Sequence, residues 1–302
     1  MKTGVKREIQ LVLDENDFSV NGIGKEESKI IKTPPIKCQG IKTKIVPYII
    51  KNLRWDKRGR WIEPFLGSGV VLFNIKPKKA LVNDINPHII NFYNSIKNGS
   101  INSRIVKTFL MEEGEKLRKL DGEHYQHVRD RFNSEGNPLD FLFLNRSCFN
   151  GIIRFNTKGK FNVPYNHKPD RFRQSYITKI VNQVRYVENL IQNRDWEFVC
   201  TDWKNILDES KEGDFVYLDP PYVGRHTDYF NSWKDEDANE MANKCKKLPC
   251  RFMVSMWKSN KYRDNAHLDE WDGYETVDIE HFYHVGSTEN LRNAMIEVLI
   301  MN

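Results

Sequence analysis

An acid, two prolines and an aromatic stand together at Asp219-Pro220-Pro221-Tyr222, directly after the apolar run Phe215-Val216-Tyr217-Leu218. Each proline biases the residue before it toward an extended backbone, so the run should leave a predicted strand stiff and open. In that geometry the Asp219 carboxylate and the Pro220 carbonyl can accept hydrogen bonds from an amino group on a flat ring, on which Tyr222 stacks. The alternative is an ordinary strand ending in a proline turn. A second cluster is Gly67-Ser68-Gly69, followed after the next apolar run by Asp84. Glycines there permit close backbone approach, and the start of a following helix favours an anion. The third glycine of the dinucleotide fingerprint is missing, with Leu72 in its place, so a carboxylate suits the turn better than a pyrophosphate. Asp84 is placed to accept both hydroxyls of a ribose. Together these features point to S-adenosylmethionine as cofactor.

A third concentration of chemistry lies between Gly151 and Arg185. Arg154, Lys158, Lys160, Lys168, Arg171, Arg173, Lys179 and Arg185 stand there against the single acid Asp170, interleaved with Phe155, Phe161, Tyr165, Phe172 and Tyr176. Cations meet phosphates and aromatic faces meet bases, so the pattern suits nucleic acid. A solvated basic face is the competing explanation. Pro249-Cys250 could suggest a cysteine nucleophile of the cytosine-C5 type, but it precedes an apolar strand and lies away from the glycine turn.

The elements that must position these residues follow from periodicity. Strands are predicted at Arg60–Phe65, Ala80–Asn83, Trp196–Cys200, Phe215–Leu218, Phe252–Met256 and Met295–Ile300. A helix should open at Val70, a mostly helical stretch should run from Pro87 to about Phe143, and another helix should span about Thr178–Gln192. Ile152–Asn156 and Phe161–Val163, flanking Thr157-Lys158-Gly159, read as a hairpin. Strands alternating with helices imply an α/β fold. We expect a doubly wound Rossmann-like sheet with an inserted, mainly helical segment bearing the β-hairpin. The expected domains are a cofactor-binding catalytic unit (34–86 and 175–302), a target-recognition insert (87–174) and an appended arm (1–33).

The chain has 302 residues, formal net charge +6 and five cysteines. No pair of them has Cys-x-x-Cys spacing, so reduced thiols and no metal site are expected, and His281 with His284 lacks converging carboxylates. No apolar stretch has membrane-span length and Met1–Arg7 carries no signal core, so no membrane partner and a cytoplasmic location are expected.

The ordered runs Lys37-Cys38-Gln39-Gly40-Ile41-Lys42, Glu63-Pro64-Phe65-Leu66-Gly67-Ser68-Gly69, Asp84-Ile85-Asn86 and Asp219-Pro220-Pro221-Tyr222 resemble the Dam-type DNA adenine-N6 methyltransferases. The order of motifs, with the insert between the cofactor and catalytic runs, resembles the alpha class of that family. Leu144–Gly151 continuing through Lys160–Tyr165 resembles the family's DNA-reading hairpin. Gly224-Arg225-His226, Asp228–Trp233 and His281–Gly286 support the likeness, which covers about Pro34 to the C-terminus. The resemblance implies catalysis by Asp219, Pro220 and Tyr222 on a flipped adenine in double-stranded DNA. On the cofactor side it implies Lys42, Phe65, Gly67, Gly69, Asp84 and Asp202, the last matching an acid that contacts the cofactor's adenine amine. Cys38 stands where the family carries a tryptophan stacked on that adenine, which moves the stacking expectation to Phe65 and Trp203. For DNA it implies Lys37 on an outer guanine, Phe149 as a wedge beside the target pair, and Arg154 on a guanine edge. Asn150, Ile152, Asn156 and Pro164 are the implied neighbouring contacts. The implied target is a GAT-containing palindrome, GATATC before GATC, within a restriction-modification system or a phage; a cognate endonuclease would act on the same site without a stable complex. RNA adenine or small-molecule methylation by the same chemistry, and a non-catalytic DNA-binding module, are the other readings.

Overall fold

The computed structural model describes residues 30–222, 233–260, 263–282 and 294–302. The runs at 224–226 and 228–232, the 283–286 part of the run beginning at His281, and nearly all of the expected arm lie outside the described residues.

Eight strands form one sheet. In chain order they are β1 (Trp61–Glu63), β2 (Lys79–Asn83), β3 (Asp195–Val199), β4 (Phe215–Leu218), β5 (Arg251–Asn260), β6 (Arg263–Asp264), β7 (Glu275–Phe282) and β8 (Ala294–Met301). The spatial order is β3-β2-β1-β4-β5-β8-β7, with the short β6 paired to β5. The first five strands in that order are mutually parallel, while β8 runs antiparallel to both β5 and β7. This is a Rossmann-like doubly wound architecture. The strand order reverses beside β1, so the carboxyl ends of β1, β2 and β4 open on a common crevice, where such sheets bind ligands.

Nine helices accompany the sheet among the described residues: α1 (Val46–Asn52), α2 (Val70–Ile75), α3 (Pro87–Lys97), α4 (Ser103–Leu120), α5 (Gly122–Glu135), α6 (Pro138–Ser147), α7 (Gln174–Gln192), α8 (Trp203–Asp208) and α9 (Asp235–Cys245). Two helices start on the same signal, an asparagine followed by proline. Asn86 accepts from His88 N at 3.0 Å and Asn137 from Leu139 N at 2.9 Å, while each proline takes a first-turn position where an amide has no helical partner. The predicted helix at Thr178 starts about one turn earlier, at Gln174.

Alternation along the strands divides the core in two. Trp61, Phe215, Tyr217, Met253 and Leu299 face α1–α7, whereas Ile62, Val216, Leu218, Val254 and Ile300 face α8, α9 and the turn at Ala266–Trp271. The inserted helices share the first of these cores. Its opening helix, α3, lies directly on the sheet, with Tyr93 stacked on Phe198 at 5.6 Å and Lys97 donating to the Trp196 carbonyl at 2.7 Å.

The expected hairpin is present but is not a regular ladder. Antiparallel bridges pair Cys148 with Tyr165 and Phe155 with Phe161, and the first arm begins with a 3-10 turn, Phe149–Gly151. Buried Phe155, Phe161, Val163 and Tyr165 anchor the arms in the helical core. Side-chain burial, more than strand pairing, therefore fixes this segment. Among the described residues no helix is long and apolar enough to cross a membrane.

Candidate active site

Asp219 emerges from β4 at the crevice, with its side chain 22 % exposed. Its Oδ1 lies 2.9 Å from Nζ of Lys42, which is almost wholly buried in the segment preceding α1. The same ammonium donates to the Tyr222 hydroxyl at 3.1 Å and to the Gly40 carbonyl at 3.2 Å, and it sits 5.3 Å from the centre of the Tyr222 ring. The Lys42 run and the Asp219 run, far apart in sequence, thus meet through one cation. Lys42, assigned by resemblance to the cofactor side, is tied here to the candidate catalytic residues.

Two further acids complete this polar region. Glu297 on β8 is fully buried; its Oε2 lies 4.0 Å from Lys42 Nζ and its Oε1 accepts from the Tyr222 hydroxyl at 3.4 Å. Glu63, ending β1 on the same sheet face, accepts from Trp61 Nε1 at 2.8 Å. Burial pushes the Glu63 carboxyl up to about 8, against the pull of the Trp61 hydrogen bond, and nearby Asp219 adds to the rise. Asp219 is itself pushed up to about 6 by burial, while Lys42 restrains the shift and Glu297 adds to it. Desolvation disfavours a carboxylate and a neighbouring ammonium favours it, so the cation is what keeps Asp219 ionised near neutral pH.

The glycine turn faces the same crevice. Asp84, ending the β2 extension, accepts from Gly67 N at 2.8 Å through one oxygen and from Asn86 N at 2.9 Å through the other. It thereby joins the turn to the start of α3. A methyl group added at Gly67 would meet nothing within 4 Å, whereas one at Gly69 would come within 2.5 Å of the Phe73 ring; both residues have positive φ. Gly67 therefore leaves open space beside Asp84, and Gly69 lets α2 pack closely. The turn and its acid fit a ribose-bearing cofactor on this evidence. Asp202 caps α8, accepting from Lys204 N at 2.9 Å. Trp203 beside it is buried 6.2 Å from half-buried Phe65 and 5.7 Å from Trp233. Trp233, which ends the Asp228–Trp233 run and had no role assigned to it, lines a small pocket with Pro220, Pro221 and Tyr222.

The candidate DNA contacts gather on the hairpin. Phe149 is 51 % exposed, unusual for so large an apolar ring, and its amide donates to the Pro164 carbonyl at 2.9 Å. Asn150 is exposed with φ of 53°, Pro164 is exposed, and Ile152 is half-buried against the core. Arg154 is exposed, donating through Nε to Asn162 Oδ1 at 2.8 Å and through Nη2 to the Asn162 carbonyl at 3.1 Å. Asn156 Oδ1 accepts from the amides of Lys158 and Lys160, both at 3.0 Å, closing the turn. Lys37 packs on Gly151, and the Asn145 side chain clamps its backbone with two hydrogen bonds of 2.9 Å. The strand-linked motif and the hairpin are therefore joined through Lys37.

Cys250 lies at the entrance to β5, the opposite end of the sheet from Asp219. Burial pushes its thiol up to about 11, which keeps it protonated and unsuited to nucleophilic attack. Glu297 and Trp61 had no motif to mark them, and Glu63, though it opens the Glu63–Gly69 run, had no role assigned to it. A lone acid inside the apolar run Ala294–Met301 was the only sequence signal for Glu297.

Comparison with known proteins places the chain in a family. The family model described as D12 class N6 adenine-specific DNA methyltransferase matches residues 39–291. The chain is 32% identical over 297 residues to the type II methyltransferase M.MjaIII of Methanocaldococcus jannaschii, covering 89% of this chain and 98% of that relative. It is 28% identical over 222 residues to the type II methyltransferase M1.LlaDCHI of Lactococcus lactis, with coverage of 70% and 73%. It is 30% identical over 210 residues to the DNA adenine methylase of Serratia marcescens, with coverage of 66% and 73%.

Proposed function

The chain belongs to the D12 class of N6 adenine-specific DNA methyltransferases, and we propose that it methylates a flipped adenine directly, with Asp219, Pro220 and Tyr222 as its catalytic residues. S-adenosylmethionine is the methyl donor in this reading, supplying an electrophilic sulfonium methyl. Asp84 would hold its ribose, Gly67 and Gly69 its chain, and Phe65, Trp203 and Asp202 its adenine. The open space at Gly67 beside Asp84 supports that placement.

The N6 lone pair of adenine is delocalised into the ring, so the amine is a poor nucleophile. Hydrogen bonds from its protons to Asp219 and to the Pro220 carbonyl draw nitrogen toward a tetrahedral shape and localise that pair. They also stabilise the positive charge that develops on N6, the kind of preorganised electrostatics that dominates many active sites. Asp219 needs no great basicity, because the methylated ammonium releases its proton readily. Extrusion of a base from the duplex costs a few kcal/mol, and enzymes that modify bases accept it to reach atoms hidden in the stack. Tyr222 would clamp the extruded ring, and exposed Phe149 would fill the gap as an apolar wedge.

Residues 87–174 serve in this proposal as the target-recognition unit, and 34–86 with 175–302 as the catalytic unit. Arg154 contacts a guanine edge, assisted by Lys37, Asn150, Ile152, Asn156 and Pro164. The target in this proposal is a GAT-containing palindrome, GATATC first, by the motifs' likeness to the modification methylase of the EcoRV restriction system, and GATC second. A restriction-modification setting, with a cognate endonuclease and a cytoplasmic location, completes the proposal, and the relatives named type II methyltransferases support it.

The single observation that carries the mechanism is the Lys42–Asp219 contact at the carboxyl end of β4. Mapping of methylated adenines in plasmid DNA incubated with the protein and S-adenosylmethionine tests it, alongside Asp219→Ala. Marks confined to one GAT-containing site, and lost in the variant, are expected. Marks at an unrelated site would overturn the target, and marks persisting in Asp219→Ala would overturn the mechanism.

A further inference from the structure

Glu297 is a charge in an unexpected place. It lies on β8, outside the parallel strands that carry the motifs, and Leu299 and Met301 follow it on the same sheet face. Across the sheet it is paired with Trp257 on β5 and Ile279 on β7. A fully buried carboxylate is tolerated only with partners, and removing a partner from such a pair is costly. Two of its partners are Lys42 Nζ at 4.0 Å, which also meets Asp219, and the Tyr222 hydroxyl at 3.4 Å, which also meets Lys42. Lys42 is thus shared between Asp219 and Glu297, and nearer to Asp219.

We propose that Glu297 is a positioning residue for methyl transfer, holding Lys42 and Tyr222 from the far side so that Asp219 is not fully claimed by the lysine. The inference rests on the reading of Asp219 as acceptor for the adenine amine. An ammonium bonded to Asp219 competes with that amine for the carboxylate's lone pairs. Glu297 draws the ammonium back, while its bond to the Tyr222 hydroxyl fixes the ring that stacks on the base. Lys42 and Glu297 act on Asp219 most directly, Asp219 and Glu63 repel one another, and Tyr222 faces Lys42, Glu297 and Asp219. Buried Glu63 lies further along the same face, on β1. Deleting the Glu297 charge leaves Lys42 wholly to Asp219, which becomes a poorer acceptor and harder to protonate.

Glu297→Gln tests this, since it keeps size and hydrogen-bonding capacity but removes the charge. Methyl transfer to duplex oligonucleotides is measured against pH for wild type and variant. Adenine methylation by the wild type establishes the underlying reading separately from the inference. In the variant kcat is expected to fall by about 10- to 100-fold, as when a reacting group is slightly misplaced. KM for S-adenosylmethionine and DNA affinity should stay within about twofold, because uniform binding is untouched. The acid limb of kcat should move to lower pH, and Glu297→Asp should return it toward the wild-type position. An unchanged kcat, a fall in kcat with an unmoved acid limb, or a loss of affinity alone would each overturn the role. If circular dichroism shows Glu297→Gln unfolded, Tyr222→Phe removes the hydroxyl between Lys42 and Glu297 while keeping the ring. A reduced kcat with unchanged KM then supports the inference, and wild-type kcat overturns it.

Discussion

The crevice around Asp219 and the hairpin around Arg154 hold their functional side chains by different means. At the crevice, charged groups from three distant parts of the chain meet: Lys42 before α1, Asp219 and Tyr222 after β4, and Glu297 on β8. At the hairpin the bonds are local. Arg154 is held by Asn162, eight residues on, and Asn156 by the amides of its own turn. The crevice is buried and its ion pairs act through a low effective dielectric, so they set protonation and geometry before any substrate arrives. The hairpin is exposed, and in the proposed role Arg154 exchanges its bonds to Asn162 for bonds to a base. The first region is preorganised for chemistry, whereas the second is a surface whose contacts are interchangeable.

The comparison breaks most visibly at Asp219. Asp219→Asn should lower kcat by about 10²–10³-fold, the scale for removing one preorganised electrostatic group, with DNA affinity retained. Equal losses in kcat and in DNA binding would show that the crevice, too, acts mainly in recognition. Activity of the wild type should also fall as pH drops through about 6, where the folded-state carboxyl of Asp219 takes up its proton and loses acceptor capacity. A rate profile flat to pH 5 would remove Asp219 from the chemistry.

Arg154→Ala should act on choice instead of rate. It is expected to reduce discrimination between cognate and substituted sites by about 1–3 kcal/mol, leaving kcat on cognate DNA nearly unchanged at saturation. Competition between cognate and single-base-changed duplexes measures this; equal weakening on both would make Arg154 a phosphate contact.

The two glycines sharpen the picture on the cofactor side. Gly69→Ala forces a methyl into the Phe73 ring at positive φ and should cost about 1–3 kcal/mol of stability in denaturant melts. Gly67→Ala meets open space and carries mainly the backbone penalty, about 1–2 kcal/mol. Its larger consequence should be weaker S-adenosylmethionine binding, read by calorimetry. Equal cofactor affinity in Gly67→Ala and wild type would place the donor elsewhere.

A further effect concerns Glu63. Its carboxyl, raised from 4.5 to about 8, binds a proton in the folded chain that the unfolded chain has released. The folded state therefore holds more protons in that window, and stability must fall as pH rises from about 4.5 to about 8. Glu63→Gln can still accept from Trp61 and should melt like wild type near pH 5 but at higher temperature above pH 8. Parallel melting curves across that range would show that Glu63 does not titrate on folding.

Local pattern made much of this molecule legible. The apolar runs at Phe215–Leu218 and Ala80–Asn83, the Asn-Pro starts of α3 and α6, and the glycine turn are decided by neighbours within a few residues, so periodicity and capping reveal them. The strand Glu275–Phe282 was missed because polar and apolar residues mix in it, and the hairpin was drawn as two regular strands because alternation alone cannot show that its apolar side chains anchor elsewhere. Motif spacing likewise marked Asp219, Tyr222, Gly67 and Asp84 as candidates, with Lys42 assigned by resemblance to the cofactor side.

Which of those groups touch was a different question. Lys42 and Asp219 are 2.9 Å apart because a parallel sheet brings the carboxyl ends of β1 and β4 beside the segment entering α1. Glu297 joins them because an antiparallel strand delivers one acid to the buried face next to β5. The amino-acid order determined the chemical types and the strands that carry them, through interactions between near neighbours. The sharing of one ammonium between two carboxylates, and with it the ionisation of Asp219, arises only in the tertiary structure, because burial and distance set a charge's energy and neither is a property of a residue alone.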